Sequence, residues 1–233
     1  MKFLLNLLFP RKCSICESYS SESEVCSECW SNCNFITKPY CNICSHPFAY
    51  ENDPKAICGA CIAAKPKYDK AISVFQYDDY SKKIIHKFKY QDQLHVLNYF
   101  VRLMLNMGKE VIDQSDIVIP VAMHKYKLLK RGYNQAALLA MRIATEKKIK
   151  YLPQALIKNN NSQAQAGLKK DERLLNIKNS FELNPKYKEF LKGKRILLVD
   201  DVITTGATIL ECCKTLTKAK PDKIFVLTLA KRV

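Results

Sequence analysis

The sequence predicts an α/β fold, in which a mainly parallel sheet flanked by helices follows a small cysteine-rich module. Two observations carry this prediction. Segments with strand and helix patterns alternate along the second part of the chain, which is typical of parallel sheets covered by helices. Four C-x-x-C pairs all lie before residue 62, which indicates a separate module. We therefore expect a cysteine-rich module at residues 1–66 and an α/β domain at residues 67–233.

The cysteine pairs predict a metal-binding module. Eight of the eleven cysteines form them: Cys13, Cys16, Cys26, Cys29, Cys41, Cys44, Cys58 and Cys61. A C-x-x-C turn can place both sulfurs on one tetrahedral ion, so eight thiolates predict two structural Zn²⁺ ions. Sequential pairing and an interleaved cross-brace both fit the spacing. Cys33 is expected to be a small buried residue, with a ligand role as the alternative. Thiolate sites imply a reducing compartment, so we expect a cytoplasmic protein.

The apolar run FLLNLLF at residues 3–9 is the feature that most resembles a membrane or export signal. It is far too short to span a bilayer. No small-residue cleavage site follows it, because Pro10, Arg11 and Lys12 come next. We expect a short amphipathic helix packed on the protein, with contact with a membrane surface as the alternative, and no transmembrane segment.

Hydrophobic periodicity predicts the elements of the second domain in order. Apolar strands are expected at 70–79, 116–122, 151–158, 194–201 and 222–230, of which 151–158 has the weakest pattern. Helices are expected at 79–90, 96–112, 134–148 and 207–219. Residues 159–180 are polar and are expected to form a long loop, a length that is typical of a lid over a site.

The segment RILLVDDVITTGAT at 195–208 carries the main functional prediction. In open α/β sheets, ligands bind beyond the carboxyl ends of the strands, where we expect Asp200 and Asp201. The following loop, with Gly206 and three threonines, precedes a helix and would present N–H groups to a phosphate. Carboxylates repel phosphate but accept hydrogen bonds from a sugar diol. The segment therefore predicts a sugar-phosphate site.

Charge is distributed unevenly along the chain. The formal net charge is +16, and residues 1–66 carry six basic and six acidic residues. The excess of positive charge therefore belongs to the second domain, which favours a polyanionic ligand such as a phosphate ester or a nucleic acid. The lysines of 79–90 offer an open helical face for single-stranded DNA: Lys82, Lys83, Lys87 and Lys89.

Several stretches together resemble one protein family. RILLVDDVITTGAT resembles the motif that binds phosphoribosyl diphosphate (PRPP) in type I phosphoribosyltransferases. The stretches at 120–140 (PVAMHKYKLLKRGYNQAALLA), 165–181 (QAGLKKDERLLNIKNSF) and 86–92 (HKFKYQD), with the cysteine knuckles, resemble the ComF family (ComFC and GntX types) of competence-associated, phosphoribosyltransferase-like proteins. Asp92 and Asn179 stand where that pattern has glycine, Lys127 where arginine is common, and Tyr133 where it has phenylalanine.

The resemblance implies a type I phosphoribosyltransferase fold and a role for the acidic pair. Asp200 and Asp201 would hold the ribose diol and act as the catalytic residues. The remaining PRPP-binding residues would be Thr204, Thr205, Gly206, Ala207 and Thr208. A pyrophosphate loop would contribute His124, Lys127 and Arg131. A mobile hood would contribute Gln165, Arg173 and Asn176.

The resemblance also implies ligands and partners. Mg²⁺ would accompany PRPP, and the process would be DNA uptake in natural transformation, with single-stranded DNA and a competence helicase as partners. Three functions remain open at this point: transfer of ribosyl 5-phosphate with release of pyrophosphate, a PRPP-responsive regulatory module without turnover, and an adapter for single-stranded DNA. The sequence names no acceptor and no oligomeric state.

Overall fold

A five-stranded parallel sheet is the centre of the computed structural model, which describes residues 12–20, 25–50, 53, 55–90, 95–159 and 179–233. In spatial order the strands are β1 (Lys70–Gln76), β7 (Lys223–Lys231), β6 (Arg195–Ile203), β2 (Ile117–Pro120) and β3 (Lys150–Tyr151). Every neighbouring pair is parallel. A separate antiparallel hairpin joins β4 (Leu156–Lys158) to β5 (Phe181–Leu183). The predicted α/β fold with a mainly parallel sheet is confirmed.

The helices occur in the cysteine-rich module and on both faces of the sheet. Their bounds are α1 (Ser27–Ser31), α2 (Gly59–Ala63), α3 (Asp79–Tyr90), α4 (His95–Met107), α5 (Lys109–Asp113), α6 (Lys125–Arg131), α7 (Gln135–Lys147), α8 (Lys188–Leu191) and α9 (Ala207–Leu216). Short 3₁₀ turns lie at Pro185–Tyr187 and Thr217–Ala219. Within the described ranges, every helix is too short or too polar to cross a bilayer. The helix expected at 3–9 lies outside them.

Alternation along β6 divides the apolar core into two layers. Leu197 and Val199 face a cluster formed with α3, α4 and α7, whereas Ile196 and Leu198 face a cluster formed with α9 and the β4–β5 hairpin. All four side chains are fully buried. This pattern is the one expected for a strand in the middle of a sheet that is covered on both faces.

Two predicted elements are interrupted in the structure. The helix expected at 96–112 divides at Gly108, where an added Cβ would lie 2.6 Å from the Met104 carbonyl oxygen and 2.7 Å from Leu227 Cδ1. Close packing on β7 therefore requires the glycine at this position. The strand expected at 151–158 divides because Pro153 begins a turn, which leaves β3 in the main sheet and β4 in the hairpin.

The cysteine-rich module covers the β1 edge of the sheet. The backbone N–H of Ile36 donates to Val74, and that of Gln76 donates to Asn34. Farther along β1, the N–H of Ala71 donates to Ile43. These bonds satisfy backbone groups that an open edge strand would expose to pairing with other chains.

Two groups of four thiols organise this module. Cys13, Cys16, Cys26 and Cys29 form one group, and Cys41, Cys44, Cys58 and Cys61 form the other, with the sulfurs of each group within 4.8 Å of one another. The grouping follows chain order, which excludes the interleaved cross-brace. Cys33 lies outside both groups and is buried, with its thiol directed at the Cys29 carbonyl oxygen.

The donor geometry of both groups fits zinc. The Cys16–Cys26 and Cys44–Cys58 sulfur separations are each 3.7 Å. A tetrahedron with Zn–S bonds of about 2.3 Å has edges of about 3.8 Å. Backbone N–H groups also point at the sulfurs: Cys26 N lies 3.3 Å from Cys13 Sγ, and Cys58 N lies 3.3 Å from Cys41 Sγ. Such contacts favour thiolates, so both groups are zinc-binding sites.

We expect about two zinc ions per chain in protein purified under reducing conditions, measured by plasma mass spectrometry. Replacing Cys41 and Cys44 with serine should remove one ion and increase hydrogen exchange along β1, because the edge contacts of Ile43 depend on that knuckle. Cys33→Ala is the matched control and should retain both ions. Fewer than two ions, or disulfides among the eight cysteines, would contradict the assignment.

Candidate functional site

The candidate site lies where β2 leaves the sheet and β6 continues. The last paired residues are Pro120 of β2 and Val199 of β6, whereas β6 continues beside β7 as far as Ile203. From β2 the chain proceeds to β3 on one side, and from β6 it proceeds to β7 on the other. This reversal of direction is the place where open α/β sheets bind ligands.

Asp200 and Asp201 lie in this crevice, immediately after the last β2 pairing. The sequence placed the end of the strand at residue 201, but β6 includes two further residues because they pair with Ala230 and Lys231 of β7. Extended backbone directs successive side chains to opposite faces. The Asp201 N–H donates to Asp200 Oδ1 at 2.9 Å, which ties the two residues together.

The two carboxylates have different electrostatic environments. Burial and the neighbouring Asp201 charge raise the pKa of Asp200 well above the usual carboxyl range, although Lys89 and Lys158 act in the opposite direction. Asp201 is directly paired, with Lys89 Nζ 2.7 Å from its Oδ2. The site therefore holds one carboxyl group that resists ionisation and one that is neutralised by a lysine.

The loop after β6 has the geometry of a phosphate cradle. Gly206 has φ +76°, a left-handed conformation that glycine adopts without steric cost, and it caps α9 without a side-chain hydrogen bond. The side chains of Thr204 and Thr205 are exposed, and those of Ala207 and Thr208 are half-buried in the first turn of α9. The first N–H groups of α9 and the threonine hydroxyls can therefore donate to an anion.

The segment expected as a pyrophosphate loop is largely helical. His124 is the N-cap of α6, and its Nδ1 accepts from the Tyr126 N–H at 3.2 Å, so in this state it has a capping role. Lys127 is exposed on α6. Arg131, in the last turn, donates from Nη1 to Gln135 Oε1 at 3.4 Å. The segment forms a helix rather than the expected loop, and this helix can end at residue 132 because Gly132, at φ +78°, adopts the left-handed conformation of a C-cap.

Two lysines at the site were not predicted as site residues. Lys158 ends β4, and its pKa is lowered by burial and by the nearby positive charge of Lys127, while Asp200 acts in the opposite direction. Lys89 was assigned to an open DNA-binding face, which is wrong: only 20% of its side chain is exposed, and it pairs with Asp201. The sequence signal for a role of Lys89 at the site is its position in the HKFKYQD stretch, which resembles the family pattern.

The RGYNQ stretch connects α6 to the end of α3. The Tyr133 hydroxyl donates to the Phe88 carbonyl at 2.7 Å, and Gln135 Nε2 donates to the Lys89 carbonyl at 3.2 Å. Asn134 caps α7 by accepting from the Ala136 N–H. These bonds fix the backbone around Lys89, so the stretch has a structural role.

The predicted hood falls mostly outside the described residues. Gln165, Arg173 and Asn176 all lie outside the described residues. The described residues on either side of that segment form the β4–β5 hairpin, where Lys158 pairs with Phe181. Asn179 has φ +58°, a backbone conformation that favours glycine and that asparagine tolerates. This explains how asparagine occupies the position where the family pattern has glycine.

Known protein families match both the cysteine-rich module and the α/β domain of this chain. Residues 4–62 match a family model described as a double zinc ribbon domain, and residues 128–232 match one described as a phosphoribosyl transferase domain. Competence protein F of Haemophilus influenzae is 30% identical over 230 residues, which cover 96% of this chain and 98% of that protein.

Two further relatives match about four fifths of this chain. Competence protein ComFC of Bacillus subtilis is 29% identical over 81% of this chain and 75% of its own length. DNA utilization protein YhgH of Escherichia coli K12 is 25% identical over 82% of this chain and 83% of its own length. With a double zinc ribbon joined to a phosphoribosyltransferase domain, and with this likeness over nearly its whole length, the chain belongs to the ComF family of competence protein F and ComFC.

Proposed function

We propose that the chain binds PRPP in the crevice between β2 and β6. The observation that carries this proposal is the juxtaposition of paired carboxylates and a phosphate cradle at the point where the strand order reverses. A sugar bound there would have hydroxyl groups facing Asp200 and Asp201, and a 5′-phosphate facing Thr204–Thr208. Ribose phosphates present both a diol and a phosphate in one small molecule.

The cations around the crevice suit the pyrophosphate of PRPP. The positive charge of Lys127 lowers the pKa of Lys158, and Lys158 lowers the pKa of Asp200, so both lysines belong to the same charged neighbourhood. His124 and Arg131 flank Lys127 on α6 and would complete the group that the sequence predicted. Lysine at position 127 keeps the positive charge but lacks the planar fork with which arginine binds phosphate in a bidentate manner.

Transfer of the ribosyl group is the chemistry that such a site supports. The bond between C1 and the pyrophosphate oxygen would break with its electron pair leaving on pyrophosphate, and the acceptor would form the new bond to C1. The carboxylate of Asp201 near the ribose would stabilise the positive charge that develops on the sugar. Mg²⁺ bound with PRPP would offset charge on the pyrophosphate. Release of pyrophosphate distinguishes this enzyme from a PRPP-responsive module without turnover.

We place this activity in DNA uptake and utilization, in the cytoplasm. Support comes from the relatives named competence protein F, ComFC and DNA utilization protein YhgH. The eight thiols in two zinc-binding sites suit a reducing compartment. Single-stranded DNA and a competence helicase are the partners that this process would supply.

We expect Asp200→Asn combined with Asp201→Asn to weaken PRPP binding at least about tenfold. A hydrogen bond from a sugar hydroxyl to the lysine-paired carboxylate of Asp201 contributes roughly 1.5–3 kcal/mol, and asparagine offers only a neutral acceptor. Titration calorimetry with PRPP and Mg²⁺ measures the change. Asp222→Asn, an exposed carboxylate at the far end of the sheet, is the control. Unchanged PRPP affinity in the double variant would rule out the assignment.

The raised pKa of Asp200 predicts a pH-dependent cost in stability. The unfolded chain ionises this carboxyl at its ordinary pKa, whereas the folded chain ionises it only at higher pH, so folding loses stability as pH rises between the two values. Asp200→Asn should therefore stabilise the protein relative to wild type, and the gain in the free energy of unfolding should grow from about pH 5 to about pH 8.

Asp116→Asn provides a comparison of opposite sign in the same denaturation series. Hydrogen bonds from Arg195 lower the pKa of Asp116, so its contribution is present above the ordinary carboxyl pKa and is lost as pH falls through the lowered value. This variant should be less stable than wild type near neutral pH, and the difference should shrink in acid. An Asp200→Asn gain that is constant or decreases with pH would contradict the electrostatic account.

A second candidate function, binding of single-stranded DNA, is favoured by the outer surface of α3. A surface cavity of about 480 Å³ is lined there by Asp79, Lys82, Lys83, His86 and Lys87. Lys82 and Lys83 are exposed, whereas Lys87 is half-buried and its Nζ lies 3.4 Å from the Ile15 carbonyl oxygen. We therefore assign the DNA contact to the exposed first half of α3.

We expect Lys82→Glu combined with Lys83→Glu to weaken single-stranded DNA binding, measured by fluorescence anisotropy. The log–log slope of affinity against salt is about −0.7 per phosphate neutralised and should become less negative in the variant. Lys218→Glu with Lys223→Glu changes the same charge elsewhere on the exposed surface and should have little effect. Saturating PRPP and Mg²⁺ should not displace the DNA. Displacement, or insensitivity to the α3 substitutions, would refute this location.

A further inference from the structure

The Lys89–Asp201 ion pair occupies a carboxylate that the proposed ligand needs. Lys89 lies in the last turn of α3, and its Nζ is 2.7 Å from Asp201 Oδ2. The two side chains are 20% and 14% exposed, so the pair is largely withdrawn from water. A ribose hydroxyl that donates to Asp201 has to share this oxygen with the ammonium group or displace it.

The backbone of Lys89 is held in place independently of the ion pair. Phe88 and Lys89 lie in the last turn of α3, where carbonyl groups have no partner within the helix itself. Tyr133 and Gln135 donate to those carbonyls, and Gln135 is only 1% exposed. Gln135 also accepts from Arg131 on α6. Only the flexible side chain of Lys89 is therefore expected to move when a ligand enters.

Ligand chemistry determines where the displaced ammonium group can bind. In PRPP the pyrophosphate is attached to C1 of the ribose, next to the carbon that carries the 2-hydroxyl. A cation that leaves a diol-binding carboxylate is therefore within a few ångströms of pyrophosphate oxygens, which lysine can reach by rotating its four-carbon stem. The charge pair with Asp201 would be exchanged for one with pyrophosphate.

We propose that Lys89 makes the site selective for sugar phosphates that carry a pyrophosphate. This inference rests on the proposed function. Lys89 is the counter-ion of Asp201 in the free protein and a pyrophosphate ligand in the complex. PRPP compensates the loss of the ion pair, whereas ribose 5-phosphate has the diol and the 5′-phosphate but nothing for the displaced lysine to bind. Binding of ribose 5-phosphate therefore loses the free energy of the Lys89–Asp201 ion pair without compensation, which disfavours this ligand. Tyr133 and Gln135 act as positioning residues for Lys89.

The test compares the affinities of PRPP with Mg²⁺ and of ribose 5-phosphate by titration calorimetry. Lys89→Met should weaken PRPP binding about tenfold or more, the size expected for one charge-assisted contact. Binding of ribose 5-phosphate should stay unchanged or become tighter, because no lysine has to be displaced. Lys89→Arg keeps the charge and should preserve most of the preference for PRPP. Lys223→Met, an exposed lysine at the start of β7 and at the opposite end of the sheet, is the matched control.

Gln135→Leu tests the positioning role, because it removes the donor to the Lys89 carbonyl. The ratio of the two affinities should shift in the same direction as in Lys89→Met, by a smaller factor. Thermal unfolding of each variant verifies the fold. Equal weakening of both ligands in Lys89→Met, or unchanged PRPP affinity, would overturn the inference.

The aspartate variants separate this inference from the proposed function. If wild-type protein fails to bind PRPP, or Asp200→Asn with Asp201→Asn binds it normally, the proposed function fails and the Lys89 inference fails with it. If the aspartate variant loses PRPP while Lys89→Met retains it, only the role of Lys89 is refuted.

Discussion

The unequal lengths of β2 and β6 are the constraint on which the site depends. β2 stops pairing at Pro120, whereas β6 remains in the sheet as far as Ile203 because β7 supports it on the other side. Asp200 and Asp201 are thereby held on regular strand backbone, yet one of their flanks is open. A loop could expose the same carboxylates, but it would fix their directions less well.

Burial at this position has an energetic consequence that the surrounding lysines only partly offset. Two adjacent carboxyl groups repel one another, and the one that is less well paired, Asp200, is the one whose pKa is raised. Lys89 neutralises Asp201, and Lys89 and Lys158 both lower the pKa of Asp200. Part of the positive charge of the domain therefore stabilises the acidic pair and is not only available to an anionic ligand.

The sequence predicted the fold and the acidic strand because both depend on local patterns. Alternating apolar segments, the cysteine spacing and the DDVITTGAT stretch are visible without tertiary contacts. The partner of Asp201 was missed because it comes from Lys89, 112 positions earlier in the sequence, and lysines at helical spacing read equally well as a solvated face. The split at Gly108 and the capping role of His124 likewise depend on packing and hydrogen bonds that periodicity does not encode.

Helix α3 gives the zinc module a physical connection to the site. Its first turn is closed by reciprocal bonds between Asp78 and Ser81, and Asp78 also accepts from Asn34 of the cysteine-rich module at 2.6 Å. Lys87 reaches the carbonyl of Ile15 beside the first thiol group. The last turn of the same helix carries Lys89 to Asp201. Contacts with the cysteine-rich module and with Asp201 therefore lie along one continuous helix, which connects the module to the acidic pair.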